Sequence, residues 1–189
     1  MTRRVAALAA LIFLWPQCAG ANPVKSQYTT IDLKACKKAK RHADGDAWSC
    51  AGLPGYPVYV AEGDLRTFVS VGARPERHRA ARQTLEPSNT IFANGAKRTT
   101  LEWRFERKAA VLVPYAVIMR YFTHDDSGHG QVIVVTKVTP SQSCHVAYID
   151  ALAMPEPIIL AHKIADETAR TFDCSKTPLT AGASGKGPM

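Results

Sequence analysis

Residues 109–122 read AAVLVPYAVIMRYF, and the fold turns on whether this run is a strand or a helix. It is apolar at consecutive positions, so neither a period of two nor one of 3.6 leaves it a solvent face. Val111, Val113, Val117 and Ile118 are β-branched, Tyr115, Tyr121 and Phe122 are aromatic, and Pro114 stands near the middle. Branched and aromatic side chains suit a pleated surface, whereas an interior proline removes a helical hydrogen bond and clashes with the preceding turn. The run therefore reads as a central strand covered on both faces, with a bulge or edge-facing point at Pro114.

The reading extends outward from there. Residues 101–106 (LEWRFE) alternate strictly, with Leu101, Trp103 and Phe105 on one face and Glu102, Arg104 and Glu106 on the other, as in a half-buried strand. Arg107-Lys108 suits an exposed turn. On the other side, residues 124–130 (HDDSGHG) read as a turn, 131–139 (QVIVVTKVT) as a strand, and 144–149 (CHVAYI) as a last strand after a turn at 140–143. Earlier, residues 56–61 (YPVYVA), a turn at Glu62-Gly63-Asp64, and residues 65–71 (LRTFVSV) form a hairpin signal. In its second strand Leu65, Thr67, Val69 and Val71 share one face. Residues 28–33 predict a short strand, and residues 47–50 a strand returning beside the basic stretch 34–41. Residues 74–83 (RPERHRAARQ) are one or two turns of polar helix or a surface loop. Residues 84–99 are irregular around Ile91 and Phe92.

One helix is predicted, over 156–172. Ile158, Ala161, Ile164, Ala165, Thr168 and Phe172 recur at helical spacing, and Lys163, Asp166, Glu167 and Arg170 lie mostly away from that stripe. Pro155 and Pro157 stand at its start, where a missing N–H costs little. Strands first and a single helix last define an α+β fold, an antiparallel β-sheet of about five to seven strands with one C-terminal helix packed on it.

The chain has 189 residues, 46% of them apolar, which suits one compact domain with a core of its own. Residues 1–21 have the form of a cleavable signal peptide. Arg3 and Arg4 open it, Val5 to Trp15 is an apolar run too short to span a bilayer, and Ala19-Gly20-Ala21 supplies small residues for cleavage before Asn22. Cys18 follows Trp15-Pro16-Gln17 and so lacks a lipobox. The mature chain is then expected in the periplasm or outside the cell, with no transmembrane anchor. It consists of a domain over 22–174 and a tail over 175–189 (SKTPLTAGASGKGPM) with too few apolar anchors to be ordered. Cleavage lowers the formal charge from +8 to +6, since only Arg3 and Arg4 are lost.

Cleavage also leaves four cysteines, Cys36, Cys50, Cys144 and Cys174. An even number in an exported chain implies disulfides. Of the three possible pairings, Cys36–Cys50 with Cys144–Cys174 is favoured, because each bridge closes one local unit. No C-x-x-C spacing supports a zinc site.

Three stretches carry a resemblance: residues 55–66 (GYPVYVAEGDLR), residues 130–137 (GQVIVVTK), and residues 144–151 (CHVAYIDA) followed by a helix ending in Phe172-Asp173-Cys174. Together they resemble a group of exported, periplasmic proteins of alphaproteobacteria, notably rhizobia-like bacteria, for which no activity is assigned. The resemblance spans most of the mature chain. It implies bacterial export and the two local disulfides, and it transfers no catalytic residue.

The densest positive segment is Arg74, Arg77, Arg79 and Arg82, with His78 among them; Lys34, Lys37, Lys38, Lys40 and Arg41 form a second. Guanidinium groups match phosphates and carboxylates, so the first segment is the candidate binding site for an anionic envelope polymer or an envelope protein. The runs lack interleaved aromatics for stacking bases, which argues against nucleic acid. Two constellations would suit a small hydrolase instead. His124, Asp125 and His129 are possible metal ligands, although Asp-Asp-Ser-Gly is also good hairpin chemistry and no H-E-x-x-H occurs. Glu62 and Asp64 flank Gly63 and could pair for acid–base work on sugars. There is no G-x-S-x-G elbow, and residues 182–187 (GASGKG) lack the spacing, strand and helix of a phosphate loop. His145 and His162 read as packed or surface histidines. The expectation is a non-catalytic binding module without a cofactor or metal, with the hydrolase as the alternative.

Overall fold

The structure is a computed structural model and describes residues 25–40, 45–126 and 128–182. The proposed signal peptide, Asn22 and the Gly-rich end of the tail lie outside the described residues. In chain order the strands are β1 (Lys25–Asp32), β2 (Lys37–Lys38), β3 (Ala47–Leu53), β4 (Tyr56–Gly63), β5 (Arg66–Val71), β6 (Ser88–Thr90), β7 (Arg98–Lys108), β8 (Val111–Asp125), β9 (Gly128–Thr139), β10 (Gln142–Asp150) and β11 (Leu179–Ala181). Helix α1 (Pro157–Ile164) runs on into a π-helical turn over Ala165–Ala169.

The fold is α+β, as the pattern of elements implies, but the strands form two sheets. The larger has the order β1-β7-β8-β9-β10-β11, with β6 also pairing β8. The smaller has the order β2-β3-β4-β5. The hairpin over 56–71 thus joins the N-terminal strands rather than the main sheet. Its apolar face explains why: Val58, Val60, Val69 and Val71, with Trp48, meet Leu101, Trp103, Val117, Met119, Tyr121, Val132 and Val134 in one buried cluster between the sheets. On the other side of the main sheet, Ile118, Ile133, Val135, Cys144 and Ile149 form a second cluster with Ala161, Ala165, Ala169 and Phe172. The layers are therefore sheet, sheet and helix. Strand β8 is central and buried on both faces, as its composition demands.

Pro114 marks a bulge. Register passes from Arg104↔Ala116 to Phe105↔Pro114, which leaves Tyr115 as the extra residue and turns it into the helix-side cluster. The helix is shorter than the predicted 156–172, and Ile158 is 40% exposed rather than packed. The widened π turn carries Ala169, in place of Thr168, onto the sheet. Both local disulfides are present, Cys36–Cys50 and Cys144–Cys174. The second ties the chain beyond the helix back to β10. The tail is not wholly without structure: Leu179–Ala181 adds a parallel edge strand against Ala147–Ile149.

Candidate functional site

The arginine segment folds as two short 3-10 turns, Pro75–Arg77 and Arg79–Arg82. Pro75, His78 and Ala80 are buried beneath it. Ser70 Oγ donates to the Pro75 carbonyl at 2.7 Å. His78 Nδ1 lies 3.0 Å from the Val71 carbonyl and 3.2 Å from Ser143 Oγ, and Ser143 Oγ lies 2.9 Å from Ser70 Oγ. His78 is thus an anchor of the segment and not part of its charged surface. The segment is pinned to β5 and β10, while Arg74, Arg77, Arg79 and Arg82 stay exposed.

Positions three apart eclipse in a 3-10 turn, so Arg79 and Arg82 project from one side. Arg79 donates to the Cys174 carbonyl, which holds it beside the second disulfide. Arg82 and Arg66 line a concavity of 420 Å³ together with Phe68, Gln83, Thr84, Tyr148 and one carboxylate residue, Glu86. Burial pushes the Tyr148 phenol up to about 12, against the opposing charge of Arg79, so it stays protonated beside these cations. Among the described residues no carboxylate lies within 4.0 Å of Arg74, Arg79 or Arg82, and Arg77 has only Glu76 at 3.9 Å.

The two other constellations lie at the ends of the β8–β9 and β4–β5 hairpins. Residues 124–130 are not all turn, because β8 runs to Asp125 and β9 starts at Gly128. His124 pairs directly with His129, and their rings stack with centroids 4.5 Å apart. Successive strand residues point to opposite faces, so Asp125 leaves the face that carries the imidazoles. Among the described residues no group of three or more His, Cys, Asp or Glu is placed to hold a metal ion. Glu62 lies within β4 opposite Thr67, whereas Asp64 sits in the turn and its carboxylate accepts from Arg66. Leu65, expected to share a strand face with Thr67, Val69 and Val71, occupies that turn and is 80% exposed. The stacked histidines line an open cleft of 890 Å³ with Leu65, Phe92, Phe122 and Leu152.

A third cluster was not legible residue by residue. Glu102 and Arg104, on the supposed solvent face of β7, are each 7% exposed because the helix covers that face. Arg104 donates to Asp166 through Nε at 3.2 Å and through Nη2 at 3.1 and 2.8 Å. The Tyr115 hydroxyl, delivered by the bulge, donates to Asp166 Oδ1 at 2.5 Å. Ser26 Oγ accepts from Arg104 Nη1 and donates to Glu102 Oε1, both at 2.5 Å. Arg170 donates to Glu106 at 3.0 Å and stacks 3.8 Å above the Tyr115 ring. His162 Nε2 comes within 2.9 Å of Glu102 Oε1 but off the line that a hydrogen bond needs, so it has no hydrogen-bond partner.

Burial opposes the charge on Arg104, but hydrogen bonding to Asp166 and its charge outweigh it, and the guanidinium is held protonated above its ordinary value. Burial, then Asp166, pushes the Tyr115 phenol up, so it remains a donor. Glu106 is held below the usual carboxylate range by its hydrogen bond to Lys108, with Arg170 adding to the effect. Every charge here has a partner within the molecule, which makes the cluster a latch between sheet and helix.

No protein-family model, curated protein or solved structure matches the chain.

Proposed function

We propose that the chain is an exported, non-catalytic binding module that holds an anionic polymer of the cell envelope through Arg74, Arg77, Arg79 and Arg82. One observation carries the reading: four exposed guanidinium groups sit on a segment clamped from beneath, and among the described residues Glu76 is the one carboxylate within 4.0 Å of them. Arginines that only kept the chain dissolved would need no clamp, whereas a clamp reduces the ordering cost on binding. Two disulfides suit an oxidising compartment. The divergence of His124 and Asp125, and the pairing of Asp64 with Arg66, favour binding over hydrolysis.

The test is co-sedimentation of the mature chain with isolated cell-envelope fractions across a salt series. Screening shortens from about 10 Å at 0.1 M to about 3 Å at 1 M, so binding should fall steeply over that range. Binding that is absent at low salt, or indifferent to salt, contradicts the proposal.

A further inference from the structure

The geometry points to a second binding site, for an uncharged amphiphile, in the cleft beside the paired histidines. Among the described residues fifteen line it, and none is Asp, Glu, Lys or Arg. On a chain with 24 basic and 16 acidic residues, this is a window free of those four residue types. Its volume, 890 Å³, lies within the range of small-molecule sites. Leu65, Phe92, Phe122 and Leu152 offer it apolar surface, and Asn94, His124 and His129 offer groups that bond hydroxyls. Lining of this kind matches a hydrocarbon group joined to a neutral, hydroxyl-bearing head. No Asp, Glu, Lys or Arg among the lining residues is there to pair an ionic head; Lys97 lies over the Phe92 ring, 6.0 Å from its centroid, and Arg120 donates to Gln131 Oε1.

Leu65 supplies the independent argument. Asp64 and Leu65 form a two-residue turn between Gly63 and Arg66, with φ of 52° and 57°. Both positions are left-handed, where Asn-Gly is the favoured pair and a bulky side chain is disfavoured. Leu65 is also 80% exposed, which gains nothing from burial. Folding alone would favour glycine here on both counts, so the leucine is explained by a contact made on binding. Leu152 is 63% exposed and is likewise presented by an ordered turn, in which its N–H and that of Ala153 donate to Asp150 Oδ1 at 2.9 and 3.1 Å. Two fixed, exposed leucines on one cleft are a preorganised apolar contact.

The probe is octyl glucoside, kept below its micelle concentration and titrated into the ¹⁵N-labelled mature chain. Saturable amide shifts at Leu65, Phe122, His124 and Leu152 are expected. Octanoate and octyltrimethylammonium, with the same kind of chain but an ionic head, should bind at least several-fold more weakly. Leu65→Gly should melt at a higher temperature than the natural chain and yet bind octyl glucoside several-fold less tightly; Leu152→Ser should lose binding with an unchanged melting temperature. Absence of saturable shifts in the cleft, equal binding of the ionic probes, or full affinity in both variants would overturn the inference. The arginine segment plays no part in it, so Arg77→Gln/Arg79→Gln/Arg82→Gln should bind octyl glucoside as the natural chain does, and a matching loss in that variant would also count against the cleft.

Discussion

Removing the Asp166 carboxylate tests the latch between sheet and helix. In Asp166→Ala the Arg104 side chain, 8% exposed, keeps only Ser26 and a Glu102 oxygen 3.6 Å away. Tyr115 loses the acceptor of its hydroxyl. Breaking a buried ion pair by deleting one partner costs about 3–5 kcal/mol. The Asp166 side chain is 28% exposed, so water reaches the vacated space, and Glu102 supplies part of the lost field. Both effects bring the expected loss down to about 2–3 kcal/mol. At about 2–4 °C per kcal/mol for a chain of this size, the melting temperature should drop by about 4–12 °C. Urea unfolding at pH 7 followed by the fluorescence of Trp48 and Trp103, both buried, reads the change directly. Replacing both partners with apolar groups, Arg104→Met with Asp166→Leu, should recover part of that loss but not all of it, since Glu102 stays buried with Ser26 after losing its nearby cation. A loss below about 0.5 kcal/mol in Asp166→Ala would refute this reasoning, as would a double variant no more stable than the worse single one.

Other consequences are open to measurement. Burial pushes His145 down to about 3, below an unfolded value of about 6.5. Between those values unfolding takes up a proton, so its contribution is complete above pH 6.5 and is lost as pH falls, at up to about 1.4 kcal/mol per unit. Unfolding free energies of His145→Gln should depend less on pH between 6.5 and 5; an unchanged slope would remove His145 as the cause. The Cys144–Cys174 bridge closes a loop of 30 residues, so Cys144→Ser/Cys174→Ser should cost about 3–4 kcal/mol. The difference should be read by urea unfolding under oxidising conditions, and equal midpoints would contradict the assignment of a stabilising bridge.

Legibility in the sequence followed how local each signal was. The central strand with its irregularity at Pro114, the hairpin over 56–71 and the local cysteine pairs depend on residues near in sequence and form as their patterns imply; the turn before the central strand, however, falls at Ala109-Ala110 rather than at Arg107-Lys108, and Val111 and Leu112 are exposed. The division into two sheets was not legible, because alternation in the 56–71 hairpin says that one face is buried and not against what. Glu102 and Arg104 misled for the same reason: period two assigns them to a face, and only the helix, more than 50 residues later, decides that this face is interior. Leu65 has the pattern of a strand residue, but the turn falls one residue later than Glu62-Gly63-Asp64 suggests, at Asp64-Leu65. Asp, Ser and Gly between the histidines carry strong turn signals, yet the hairpin closes tightly enough for His124 and His129 to pair across it. Of the candidate residues, the exposure of the four arginines could be read from charge alone; the burial of His78 beneath them could not.

The central claim concerns the place of the positive charge, not its amount. Arg77→Gln/Arg79→Gln/Arg82→Gln and Lys34→Gln/Lys37→Gln/Lys40→Gln remove the same three charges from exposed positions of the two basic segments. Exposed charge contacts are each worth up to about 1 kcal/mol, so loss of the three arginine contacts should weaken binding to envelope fractions by about 10- to 100-fold at low salt. The account predicts that loss for the arginine variant and a much smaller one for the lysine variant, with both unfolding as the natural chain does. Equal losses in the two variants would show that net charge alone drives binding and would contradict an arginine site.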